Sequence, residues 1–335
     1  MSLPTDGRAL SDLVVTTFDA IVDQIYDGFF NTNATFERLY QRDRTDPGTV
    51  IKFGGGAEIK EPILYNAPVA VSYATGDTAD TTETEVTTDL VFQWKQAWVP
   101  INISGLKLAQ NAGGSETRFF DLLQIRAEAA FNSLADFMGV MLYGDGTGNS
   151  NKNWDGLKAA INTSANYATY GGITRSATTG DPGNAINGVF SSTGGVMSKG
   201  LLQNLFGQVT YNRDYPDLIT MPQALWTELW ERVEAADRNA PGPLRDVGFN
   251  TIRFNGAEVV ADSKVATGVV WGLNTKYIKM CFLEGHDFIR RSTRYGFGET
   301  GFPVFNQDML VDQLIAYGDF TVPGPRYHFQ ATSIT

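Results

Sequence analysis

The chain has 335 residues, 42% hydrophobic and 19% charged, which describes a folded protein with room for a large core or two subdomains and excludes a disordered chain. Lys and Arg number 26 against 37 Asp and Glu, a net charge of −11, which excludes tight, phosphate-gripping recognition of DNA sequence. A single cysteine, Cys281, excludes an internal disulfide and a cysteine-based metal cluster, and its apolar neighbours Met280, Phe282 and Leu283 predict a buried structural thiol.

In chain order, the spacing of Leu13, Val14, Phe18, Ile21, Val22, Ile25 and Phe29 predicts an amphipathic helix over about 10–30. An irregular polar segment follows to Gly48, and residues 1–48 read as an arm that packs on something else. Residues 49–103 are β-like, with strands at 50–53, 57–65, 69–73 and 86–99. Trp94 and Trp98 predict a bulge if both are buried. The polar tract 74–89 is packed with threonine and acid. This outer part of the excursion has little core of its own, and two-stranded excursions are marginal alone, so it is expected to rest on another subunit.

Apolar residues then recur at helical spacing from Phe119 to Leu142, with Ser115 as N-cap and Glu116 in the first turn. No proline interrupts this helix, whose length is on the order of 40 Å. Asp121, Arg126, Glu128 and Asp136 exclude a membrane span. It empties into Gly144-Asp-Gly-Thr-Gly-Asn149, followed by Trp154-Asp-Gly-Leu157. A dinucleotide loop must open a helix so that amides face the phosphate; these glycines leave one, and the free groups are carbonyls. An EF-hand reading begins well at Asp145, Thr147 and Asn149 but has Ser150 where its glycine belongs and Gly156 where its bidentate Glu belongs. The corner therefore reads as a glycine-permitted turn.

Residues 157–196 read as loops. Helices are predicted over 198–211 and from Pro222 to Ala236, with a buried strand at 217–221 between them. Strands follow at 251–254, 257–260, 268–273, 277–283, 288–294, 308–317 and 326–332, with Arg290, Asp312 and Arg326 on the wet face of the last sheet. His286 and His328 lie far from any nucleophile motif; neither Gly-x-Ser-x-Gly nor His-Glu-x-x-His occurs, which points away from an enzyme. Neither a signal segment nor a run of about 18 apolar residues occurs, so cytoplasmic synthesis is expected. Six tryptophans leave one enzymatic alternative, a carbohydrate-active cleft lined by Trp226, Trp230 or Trp271.

The order of arm, β-excursion, long helix, glycine corner, α/β subdomain and returning strands resembles the major capsid proteins of tailed bacteriophages over essentially the whole chain. Its most specific residues are Leu142-Tyr-Gly-Asp-Gly-Thr-Gly-Asn149 with Trp154-Asp-Gly-Leu157, Leu218-Ile-Thr-Met-Pro222 running into Trp226, and Tyr317-Gly-Asp-Phe-Thr-Val322 through Pro325-Arg-Tyr327. The resemblance implies an α+β capsid fold: an N-terminal arm (1–48), an extended β-hairpin loop (49–89), a peripheral domain built on the spine helix (90–156 with 306–335) and an α/β axial domain (157–305).

Its implied function is self-assembly, as pentamers and hexamers, into the icosahedral shell around phage DNA, with no enzymatic activity, no cofactor and no metal. Lys60, Glu61, Tyr65, Tyr73, Asp77, Glu83 and Glu85 are the expected neighbour-facing residues of the loop. Gly144, Asp145, Gly146, Gly148, Trp154 and Gly156 form the expected spine-to-axial corner. Expected partners are other copies, a separate scaffolding protein, a portal, decoration proteins and double-stranded DNA held without sequence-specific binding; no membrane is involved. The expected location is the virion, assembled in the host cytoplasm.

Some relatives weld neighbours through a Lys–Asn isopeptide bond. Lys52 or Lys60 and Asn306 could supply its ends, but Gln313, with Asp312 beside it, stands where the assisting carboxylate belongs, so no cross-link is expected. An encapsulin-like compartment shares the fold and is the nearest alternative.

Overall fold

The computed structural model describes residues 33–36, 38–39, 48–78, 81–104, 106–107, 116–192, 194–232, 251–290, 302–303 and 308–335. The predicted helix over 10–30 and the proposed cap Ser115 lie outside them. No helix among the described residues is long and apolar enough to cross a membrane.

The spine helix α1 (Glu116–Leu142) matches its periodicity, burying Ala127, Ala130, Phe131, Leu134, Met138 and Met141 along one side. That side lies on a mixed sheet. Strand β1 (Val50–Phe53) leads through the hairpin β2 (Glu58–Leu64) and β3 (Thr87–Gln93) into β4 (Lys95–Ser104). The break between β3 and β4 falls at Trp94, whose Nε1 donates to the Gly56 carbonyl at 2.9 Å. Trp98, by contrast, is exposed, so only one of the two tryptophans turns inward.

A small hairpin, β5 (Thr169–Tyr170) and β6 (Ile173–Thr174), braces β3, and β7 (Val189–Ser191) closes a segment that reads from sequence as loop. The second sheet takes β8 (Leu218–Met221), β9 (Thr251–Phe254), β10 (Ala257–Ala261) and β11 (Val270–Leu273). The β9–β10 turn uses Asn255 and Gly256 at positive φ, as a two-residue hairpin requires. The chain then crosses to the first sheet for β12 (Lys279–Leu283), β13 (Ile289–Arg290), β14 (Phe302–Pro303) and the 13-residue β15 (Met309–Thr321), and returns to the second for β16 (Phe329–Ala331).

β15 is the axis of the first sheet. Its residues Met309 to Gly318 pair antiparallel with β4. Its other edge takes β14, β13 and β12 in succession, and β1 adds parallel to β12. The second sheet runs β7-β16-β11-β8-β10-β9. Helices α2 (Lys199–Val209), capped by the Ser198 hydroxyl on the Leu201 amide, and α3 (Gln223–Arg232) pack on it through Leu202, Leu205, Phe206, Leu225 and Leu229. Pro222 does not enter the first turn of α3; its carbonyl accepts from Trp226, so it stands just outside. The sheets cross the boundaries expected from sequence: β16, assigned to the peripheral domain, sits between β11 and β7, and β12, assigned to the axial domain, sits between β1 and β15.

Part of the expected arm belongs to this same core. Phe36 and Leu39 are fully buried, Phe36 against Phe320 at 6.0 Å between ring centres. Thr35 and Tyr143 share a 2.6 Å hydroxyl contact, and Tyr143 donates to Asp262 at 2.8 Å. Arg38 pairs with Asp217 at 3.2 Å. Residues 33–36 and 38–39 therefore pack on their own subunit, because two large apolar side chains and a cation find partners there. A second correction concerns Asp312, placed on a wet face by simple alternation. It is 5% exposed, opposite Ile101 beneath the spine side of the sheet, and its Oδ1 accepts the Gln313 amide at 2.8 Å.

His328, just before β16, is fully buried, with Nδ1 accepting the Asn274 amide at 3.1 Å. Burial pushes its pKa down to about 3. The unfolded chain, titrating near 6.5, binds the proton more readily, so this site's contribution to stability is whole above pH 6.5 and is lost as pH falls toward 3. Between those limits its slope approaches about 1.4 kcal/mol per pH unit. Denaturant melts at pH 7 and pH 4.5 should show a smaller loss for His328→Gln than for the parent chain; equal losses would contradict this assignment.

Candidate assembly surface

The β2–β3 hairpin alternates strictly. Ile59, Ile63, Leu90 and Phe92 point into the core while Lys60, Pro62 and Leu64 point out. Phe92 meets Tyr170 edge-on at 5.3 Å, and the Val91 amide donates to Gly171 at 2.9 Å, so the hairpin's root is fixed. The ladder runs on through Tyr65 and Val86 and then ends. Beyond it the predicted strand 69–73 is absent. Val69, Val71 and Tyr73 keep their strand-like alternation but are 86%, 77% and 86% exposed. A strand needs a hydrogen-bonding neighbour, and among the described residues this stretch has none in its own chain.

Of the residues expected to face a neighbour, Lys60, Tyr73, Asp77, Glu83 and Glu85 are exposed and Tyr65 is half-buried. Asp77 also closes a local turn, its Oδ2 accepting the Ala74 amide at 2.6 Å. Glu61 is corrected: it is 4% exposed, and its carboxylate is held by Lys279 at 2.6 Å and lies 3.8 Å from the Cys281 sulfur. Its place on the inward face of β2 commits it to its own subunit. Cys281 is buried as expected, and burial pushes its thiol up to about 12. Lys52 is engaged by Asp287, Gln313 is half-buried in β15, and Asn306 lies outside the described residues.

The corner is a latch of internal contacts. After Leu142 the Gly144 amide returns to Met141 at 2.9 Å. Asp145 accepts the Thr147 hydroxyl at 2.6 Å, the Tyr167 hydroxyl at 2.8 Å and Lys158 at 3.0 Å, which together hold its carboxyl well below the usual carboxylate range. These partners occupy the oxygens an EF-hand would offer a cation. Gly146 adopts φ +76°, with no space for a Cβ beside the Asp155 carboxylate. Gly148 lies against the Asn153 amide and opens a left-handed turn, Asn149 to Asn151, all at positive φ.

Trp154 is fully buried, edge-on to Phe320 at 5.2 Å and Phe282 at 5.7 Å. Gly156 backs onto the carbonyls ending the spine: a Cβ there would stand 2.5 Å from the Gly144 oxygen and 2.7 Å from that of Leu142. Gly156→Ala should therefore cost about 3 kcal/mol, read as a lowered denaturant midpoint; an unchanged midpoint would contradict the close approach.

Sequence reasoning missed the group that ties this corner to the sheet. Lys95 reaches Asp155 at 2.5 Å and Asp319 at 3.9 Å, and Asp319 accepts the Asp155 amide at 2.7 Å. Burial, with Asp155 alongside, raises the Asp319 carboxyl. The signal available was Asp319 within Tyr317-Gly-Asp-Phe-Thr, a carboxylate in an otherwise apolar strand. Of the tryptophans expected to line a carbohydrate cleft, Trp226 and Trp271 are buried. Trp226 stacks on Trp230 at 5.0 Å and Trp271 is buried near Tyr143. No group of three or more His, Cys, Asp or Glu able to hold a metal occurs among the described residues.

No family model and no curated protein sequence matches this chain. Solved structures do. The cyanophage A-1(L) capsid asymmetric unit superposes with a TM-score of 0.64 at 14% identity, over 85% of this chain and 90% of that one. The fold is that of phage major capsid proteins. Within this capsid fold, a Mycobacterium phage Bobi structure gives a TM-score of 0.53 at 13% identity, over 89% of this chain and 90% of the other. The capsid of a native GTA particle gives 0.55 at 9%, over 88% and 90%.

Proposed function

We propose that this chain is a structural shell protein: copies self-assemble as pentamers and hexamers into a closed icosahedral head that holds double-stranded DNA. The observation that carries this reading is the loop beyond Tyr65 and Val86. Among the described residues its alternating apolar side chains stand exposed with no strand partner, on a capsid fold whose named strands are paired. A second copy supplies what this one lacks.

On this reading residues 1–48 act as an arm anchored at 33–39, 49–89 as the extended loop, 90–156 with 306–335 as the peripheral domain and 157–305 as the axial domain, with β12 and β16 exchanged between the last two. Lys60, Tyr65, Tyr73, Asp77, Glu83 and Glu85 meet the neighbouring copy. Gly144, Asp145, Gly146, Gly148, Trp154 and Gly156 fix the angle between spine and axial body. The role is structural, without catalysis. A scaffolding protein and a portal guide closure in the host cytoplasm, decoration proteins attach outside, and the net charge of −11 keeps the wall from gripping the packaged DNA. Negative-stain microscopy of the purified protein, expressed with its neighbouring genes, should show closed particles of uniform diameter. A solitary monomer at high concentration would refute the proposal, and shells filled with protein cargo in place of DNA would move it to a storage compartment.

A further inference from the structure

Beside the hairpin's root lies a groove of about 360 Å³ with Pro62, Ile63 and Leu64 as one wall and the turns at 276–279 and 323–327 as the other. Its chemistry is unlike the rest of this acidic chain. Lys276, Lys279 and Arg326 line it, and no carboxylate residue does. The lysines are matched from behind, Lys276 by Asp214 at 3.0 Å and Lys279 by Glu61 at 2.6 Å. Arg326 is different. It is exposed, its guanidinium lies over the rings of Tyr327 at 5.0 Å and Tyr211 at 5.8 Å, and it donates to the Tyr327 hydroxyl at 2.9 Å. No carboxylate pairs with it among the described residues. Tyr327 is stacked on Tyr277 at 4.4 Å between centres and 10° between planes, so the platform under the cation is rigid. A guanidinium fixed on aromatic faces is prepared to take a carboxylate without losing rotamer freedom when it does so.

The complementary surface is on the same chain. Residues 74–89 hold Asp77, Asp80, Glu83, Glu85 and Asp89 with no Lys or Arg, and Asp77, Glu83, Glu85 and Asp89 are exposed. The chain's own tract departs from the groove's wall along the hairpin ladder and leaves the groove open. We propose that the groove receives the acidic tract of a second copy's loop, with Arg326 as its anion anchor and the Tyr277–Tyr327 platform as its floor. This rests on the shell reading. Copies carrying −11 each repel through most of their surfaces, and a cation-lined groove gives one place where contact is favoured and its register is set.

Cysteines introduced as Thr84→Cys in the tract and Ala185→Cys in the groove test the contact in the full chain, since the native Cys281 is buried. Mild oxidation of assembled shells should convert the double variant into linked multimers on a boiled, non-reducing gel, while the Thr84→Cys variant alone stays monomeric. Shells whose chains stay unlinked, or close only on themselves, overturn the groove and leave the shell standing. No shells from the unsubstituted chain overturn both. Independently, Arg326→Glu should lower shell yield at least ten-fold, and adding Glu83→Lys and Glu85→Lys should restore most of it. Undiminished yield from Arg326→Glu, or no recovery in the charge-swapped chain, overturns the proposal.

Discussion

Replacing residues 66–84 by an Asn-Gly turn should abolish closed shells while leaving a soluble subunit that still melts cooperatively. None of the described residues in that span belongs to the core, and the side chains that root the hairpin, Ile59, Ile63, Leu90 and Phe92, all lie outside it. The ladder ends at Tyr65 and Val86, so a short turn can close the hairpin there. Shortening a surface loop changes closure entropy only slightly, and the melting midpoint should move by less than about 1 kcal/mol equivalent. Microscopy and sedimentation should find no particles. Normal shells from the shortened chain would remove the loop from assembly, and loss of the cooperative melt would show that it serves the subunit's own fold.

Trp154→Ala carries the largest expected loss of subunit stability, about 3–5 kcal/mol. The indole is fully buried between Phe282 and Phe320, and the backbone of Gly318 comes so close that a Cβ there would stand 2.9 Å from the Trp154 ring. Such a slot is walled by the paired strands β12 and β15 and cannot collapse when the ring is removed. Trp154→Phe, which refills most of the volume, should recover more than half of the loss. Denaturant midpoints of the three proteins decide the matter; a loss under about 1 kcal/mol for the alanine variant would mean that the slot is not closed. The same variant should loosen the spine's attachment, because the neighbouring Asp155 is held by Lys95 and Asp319.

Local rules made much of this legible in advance. The spine helix, the helix after Ser198 and the buried strand 218–221 follow from apolar spacing, and each lies where that signal places it. The corner's turn character is legible from its glycines, although the reason for Gly156, three carbonyl oxygens from another turn of chain, is not. What stayed hidden depends on partners far away in sequence. The parallel pairing of β1 with β12 joins Val50 to Met280, and no property of either segment announces the other. Glu61 and Asp312 look like solvated charges by residue type alone. Glu61 is buried because Lys279 lies opposite it, and Asp312 lies beneath the spine side of the sheet. Phe36 and Leu39 read as arm because nothing near them in sequence forms a core. For the assembly surface, the exposed tract was legible as polar and threonine-rich. The groove was not, since its cations come from two separate turns and its floor from the stacking of Tyr277 on Tyr327.

The two strands that complete the sheets come late in the order of the elements. β15 is the axis of one and β16 is an inner member of the other, and both lie within residues 309–331. Before them, β4 and β12 lack the strand that joins them, and β7 and β11 lack theirs. Removing residues 309–331 should therefore disrupt both sheets together, however intact the rest of the chain.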